Sequence, residues 1–158
     1  MKTRLFSAIL LLTFAAAFTT ISAQKSSKYF TDKNNVAVKG YDLVAYFTNY
    51  QAEPGSKKYM VKYDNAKFYF ANKKHQQMFK NNPQKYLPQF GGYCAFAMST
   101  KGAKVPTNPK TFKIVDGKLY LFFNDFYKGK KFNTIIPWNK NEAQLRKQAQ
   151  INYAKLSK

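Results

Sequence analysis

The segment Thr111-Phe112-Lys113-Ile114-Val115-Asp116-Gly117-Lys118-Leu119-Tyr120-Leu121-Phe122-Phe123 leaves that part of the chain little conformational choice. Asp-Gly is a preferred pair for a two-residue type I′ turn, and a β-rich run flanks it on either side. An antiparallel hairpin is expected here. A second is expected from Tyr59-Met60-Val61-Lys62-Tyr63 and Lys67-Phe68-Tyr69-Phe70, joined by Asp64-Asn65-Ala66. Val36-Ala37-Val38 is a short strand candidate stopped by Gly40. Asn72 is placed to cap a helix over Lys73–Asn81, and Pro83 lies just beyond its end. Residues 139–155 are helix formers, with Leu145, Ala149, Asn152 or Tyr153, and Leu156 at 4-3-4 spacing. Hairpins separated by helices, without a repeated βαβ spacing, predict an α+β fold. It should be a small single domain of two antiparallel β-hairpins packed with short helices and a C-terminal helix.

The first 23 residues read as an address. Lys2 and Arg4 form a positive start, residues 5–18 are apolar, and Thr19-Thr20-Ile21-Ser22-Ala23 turns small and polar, with Ile21-x-Ala23 as a cleavage tripeptide. An uncharged run of 20 residues could just span a bilayer as an anchor, but three threonines, two serines and the small-residue end favour cleavage. A secreted or periplasmic protein starting at Gln24, with no transmembrane span after signal cleavage, is the expectation. Residues 24–35 read as a flexible, lysine-rich lead-in.

Few residues are available for covalent chemistry. The whole chain of 158 residues holds one His, one Cys, two Glu and five Asp. One Cys excludes an internal disulfide framework, and one His excludes a three-histidine zinc site. No phosphate-binding glycine loop and no G-x-S-x-G elbow occurs. Asp64 and Asp116 are occupied by turns. In Gly91-Gly92-Tyr93-Cys94-Ala95 the glycines permit φ > 0, and the thiol after them either starts a helix or is a small buried hydrophobe. His75, within Lys73-Lys74-His75-Gln76-Gln77, reads as part of a solvated helix face.

Several of these segments fall in the order of a known family. Gly40-Tyr41-Asp42-Leu43-Val44-Ala45-Tyr46-Phe47, Phe68-Tyr69-Phe70-Ala71, Phe79, Pro83, Tyr86, Gly91-Gly92-Tyr93-Cys94-Ala95 and Ile114-Val115-Asp116-Gly117-Lys118-Leu119-Tyr120-Leu121 together resemble an exported YHS-domain protein. The resemblance covers about residues 36–123 and implies a small α+β fold. Taken with the address and lead-in, the expected division is a signal peptide (1–23), the lead-in (24–35), a YHS-like domain (36–127) and a C-terminal helical extension packed on it (128–158). Metal-trafficking members of the family carry a C-x3-C pair thought to bind heavy-metal ions. Aligned by Phe70 and Phe79, those positions are Ala71 and His75 here, and Leu43 replaces a usual proline.

If hairpin and helix stack as in that family, His75 and Cys94 approach, and Met98 follows Cys94 by one helical turn. Such a set suits copper or zinc. The site expectation is therefore a metal ion or small ligand at His75, Cys94 and Met98. An enzymatic version would make Cys94 the nucleophile and His75 the base, without an identifiable third group. The chain has 27 Lys or Arg against 7 Asp or Glu, a formal charge of +20. Loss of residues 1–23 leaves 25 basic residues against 7 acidic, or +18. The lysines are scattered and Arg146 is the one arginine of that mature part, so nucleic acid is not the expected partner. The expected function is a small exported binding module. The alternative is a non-catalytic envelope interaction protein that uses its basic surface on anionic lipids or polymers.

Overall fold

Strand β4, Lys118–Phe122, divides the apolar interior in two. Side chains alternate along a strand. Leu119 and Leu121 enter one cluster with Val38, Leu43, Tyr46, Phe68, Phe70 and Phe79. Tyr120 and Phe122 enter a second with Phe90, Met98, Trp138 and Ala149. A strand covered on both faces needs an unbroken apolar run, which this sequence supplies. Each of the Val, Leu, Phe and Met side chains among them contributes about 1.5–3 kcal/mol of burial.

The computed structural model describes residues 27–156. The expected signal peptide at 1–23 and the first three residues of the lead-in lie outside the described residues. The elements are α1 (Ala45–Thr48), β1 (Ser56–Tyr63), β2 (Ala66–Phe70), α2 (Lys73–Asn81), α3 (Pro83–Tyr86), α4 (Ala95–Lys101), β3 (Asn108–Val115), β4, β5 (Asn124–Tyr127), β6 (Lys130–Asn133), α5 (Ile135–Lys140) and α6 (Glu142–Leu156). The fold is mixed α+β. Its strands form three antiparallel pairs, β1–β2, β3–β4 and β5–β6. No helix among the described residues is long and apolar enough to cross a membrane.

The turns follow local chemistry. Asp116 and Gly117 have φ of 50° and 67°, the paired left-handed geometry of a type I′ turn. Asp64 and Asn65 repeat it at 46° and 60°, so this turn has two residues and Ala66 already belongs to β2. Asn72 caps α2, its Oδ1 accepting the His75 N–H at 2.8 Å.

Three features differ from the sequence expectation. Val36-Ala37-Val38 makes only isolated bridges, because Val38 and Lys39 turn to φ of 49° and 52°. The C-terminal helical segment is split at Asn141, whose φ of −152° ends α5 before α6 begins. The β5–β6 hairpin was not anticipated. Its Lys128-Gly129 turn lacks an Asn-Gly or Asp-Gly cue, and its short, mostly exposed strands show no core-facing alternation.

Long-range ties join segments far apart in the chain. The Tyr46 hydroxyl donates to the Pro109 carbonyl at 2.9 Å, and its ring meets Phe112 edge-on at 4.7 Å. Arg146 of α6 donates to Asp116 in the β3–β4 turn at 2.5 Å. The end of the lead-in is docked: Tyr29 is buried against Phe68, and the Phe30 N–H donates to the Gly91 carbonyl at 2.8 Å.

Candidate functional site

The first turn of α2 points His75 inward, at 6% exposure, and not onto the solvated face its polar neighbours suggested. Nδ1 lies 2.7 Å from Asp42 Oδ2, which fixes Nδ1–H as the donor to the carboxylate. Nε2 lies 3.5 Å from Thr48 Oγ1. Asp42 is fully buried, so its carboxylate needs donors on every side. Oδ1 accepts the Val44 N–H at 2.8 Å and the Ala45 N–H at 3.3 Å, capping α1. Oδ2 accepts the Ala71 N–H at 2.8 Å as well as the imidazole. Ala71 and His75, four residues apart in sequence, thus both close on the Asp42 carboxylate.

Thr48, His75 and Asp42 stand in the order of a hydrolytic relay. The Thr48 hydroxyl, however, donates to the Val44 carbonyl at 3.1 Å, so its one proton is committed to the α1 backbone. The arrangement ties α1, the end of β2 and α2 together.

Cys94 stands at the start of α4, just ahead of Ala95 and Met98 of the second cluster. Gly91 and Gly92 take φ of 65° and 85°, and the chain then starts α4 with Cys94 as its cap residue. Both sequence readings hold together: the thiol is at a helix start and fully buried. Its sulfur accepts the Phe123 N–H at 3.4 Å and lies 3.3 Å from Thr134 Oγ1. The Thr134 hydroxyl donates to the Phe123 carbonyl at 3.0 Å, which leaves the thiol proton to point at Thr134.

Cys94 is also one of the residues that line a cleft of about 170 Å³. Phe96, Ala97 and Lys101 of α4 form one wall, and Phe123, Tyr127 and Phe132 form another. Register explains the second wall. Tyr127 pairs with Lys130 and Asp125 with Phe132, so Tyr127 and Phe132 share one face of the β5–β6 hairpin and Phe126 takes the other. Tyr127 and Phe132 remain 58% and 46% exposed.

The three expected site residues have different surroundings. His75 and Cys94 share no hydrogen-bond partner, and neither His75 nor Met98 lines the Cys94 cleft. Met98 sits one turn along α4, fully buried with Phe90, Tyr120, Phe122 and Trp138. Among the described residues no group of three or more His, Cys, Asp or Glu is gathered to hold a metal ion. These residues do not form a closed zinc site, which needs about four ligands. An acid–base pair of Cys94 with His75 is likewise not formed, since the imidazole is engaged by Asp42 and Thr48.

Sequence reasoning passed over Asp42 and Thr134. Asp42 had a local cue, standing three residues ahead of α1, whereas Thr134 makes no side-chain cap on α5 and bonds the distant Phe123 and Cys94 instead. Tyr127 and Phe132 had no cue, because an exposed short hairpin leaves no periodic pattern. Comparison of the chain with family models, with curated proteins and with solved structures gave no match.

Proposed function

We propose that the protein is an exported, YHS-type binding module that catalyses no reaction and seats a small apolar ligand in the cleft at Cys94. The observation that supports this most is the position of Cys94. A residue with no exposure of its own forms part of a cleft walled by α4 and a hairpin whose two inward aromatics are still about half exposed. Such a surface gains from being covered. The volume is close to that of an apolar cavity of roughly 150 Å³ that admits benzene. Lys101 lines the cleft and has no acidic partner among the described residues, so a ligand with an apolar body and one acidic end matches it best.

Benzoate and phenylacetate are suitable probes, with benzyl alcohol as the neutral control. The acids should raise the Tm of the purified protein, because a ligand bound only by the folded state stabilises it. They should also slow maleimide labelling of Cys94. Ala97→Trp, which fills the cleft, should remove both effects. Unchanged Tm and labelling at millimolar acid would overturn the reading.

A second reading rests on the same hairpin. Phe126 is 68% exposed beside exposed Lys128, Lys130 and Lys131, a composition suited to an anionic bilayer surface. Retention on phosphatidylglycerol vesicles should be lost at high salt and weakened by Phe126→Ser. Equal retention on neutral vesicles opposes it.

A further inference from the structure

A larger cleft, of about 690 Å³, lies away from Cys94, between the turn after Val38 and the β1–β2 hairpin. Its cationic side is built from three separate segments: Lys39, Lys57 on β1 and Lys67 on β2. None of the three amines has an acidic partner within ion-pair distance among the described residues. Like charges facing one cavity repel one another, and an anion between them relieves this.

The rest of the lining narrows the chemistry. Asp32 also faces the cleft. Its Oδ1 is used by the Asn34 and Val36 N–H groups at 2.8 and 2.9 Å, while Oδ2 has no partner among the described residues. A free carboxylate oxygen opposes a dense phosphate but accepts a hydroxyl. Asn34 adds an amide, and Met60 with the half-buried Tyr69 ring supplies an apolar floor. Glycine lets the neighbouring chain pack closely on Tyr69. A Cβ at Gly40 would come within 3.2 Å of the Tyr69 ring, and one at Gly55 within 2.4 Å of the Tyr69 backbone.

Separated cations, one hydroxyl acceptor, an amide and an aromatic floor are the requirements of a molecule that is anionic, hydroxylated and flat on one side. The geometry points to a second binding site, for an acidic saccharide. Its carboxylate or sulfate groups sit among Lys39, Lys57 and Lys67, its hydroxyls meet Asp32 and Asn34, and a ring face lies on Tyr69. The volume falls within the range of roughly 300–1,000 Å³ usual for ligand pockets.

Calorimetric titration with a galacturonate trimer and a sulfated disaccharide, each against a neutral glucose trimer and pyrophosphate, tests the site. At least one acidic sugar should bind, the neutral sugar should not, and pyrophosphate should bind more weakly. The triple variant Lys39→Gln, Lys57→Gln, Lys67→Gln should lose at least tenfold in affinity at unchanged Tm. Tyr69→Ala should weaken the sugar but not pyrophosphate. The control Lys128→Gln, Lys130→Gln, Lys131→Gln removes the same charge elsewhere and should leave binding intact. Equal losses in both triple variants, pyrophosphate binding as tight as the sugar, or no acidic sugar bound would each overturn the assignment.

Discussion

His75 and Asp42 form a buried pair, 2.7 Å apart and 33 residues apart in sequence, in which one carboxylate serves an imidazole and three backbone amides. Asp42→Ala strands those amides as well as the ring, so it should cost about 3 kcal/mol or more. His75→Ala should cost less, about 2 kcal/mol, because the carboxylate keeps its backbone donors. Urea unfolding followed by the fluorescence of Trp138, the single tryptophan of the chain, measures both. An Asp42→Ala cost below 1 kcal/mol would contradict the role given to the carboxylate.

Tyr46 tests the tie between α1 and β3. Tyr46→Phe leaves the buried Pro109 carbonyl without its donor and should cost about 1–3 kcal/mol. The pH dependence has a definite sign. Burial raises the Tyr46 hydroxyl well above its ordinary value, and raises Tyr29 to about 12. An unfolded tyrosine releases its proton near pH 10. The contribution is therefore complete below about pH 10 and is lost as pH rises toward and through the raised values of the folded protein. Urea midpoints should fall steadily above about pH 10 and fall less steeply in Tyr46→Phe. A flat profile to pH 11.5 in the wild type would refute this.

Gly91 marks a close approach. A Cβ there would lie 2.2 Å from the Lys28 carbonyl oxygen, at a φ of +65°. Gly91→Ala should destabilise by about 1–3 kcal/mol and displace the docked end of the lead-in. Faster proteolysis ahead of Phe30 is the direct readout. Gly117→Ala, where nothing lies within 4 Å, shares a left-handed φ of +67° without the collision and should cost less.

How far the residues alone could be read follows from the range of the forces involved. Asp116-Gly117, Asp64-Asn65 and the Asn72 cap are settled by steric and hydrogen-bonding preferences acting over two or three residues, so the hairpins and α2 were legible. The unbroken run Leu119-Tyr120-Leu121-Phe122 could be read as a strand but not as a partition, since apolarity does not say what covers each face. His75 shows the limit most clearly. Lysines and glutamines around it gave a wet helix face, and one distant carboxylate drew it inside. Cys94 is joined to Thr134 across 40 residues, and the aromatics of its cleft come from a hairpin with no turn signature.

The residues by themselves determined the α+β class, two of the three hairpins, the α2 cap and the strongly basic charge, because each depends on local backbone preference or simple composition. Only the tertiary structure decided that the lone imidazole faces Asp42, that the lone cysteine lines an apolar cleft, and that three lysines surround another. Those outcomes depend on which surfaces meet when distant segments exchange water for one another, and that exchange leaves no mark within any short stretch of chain.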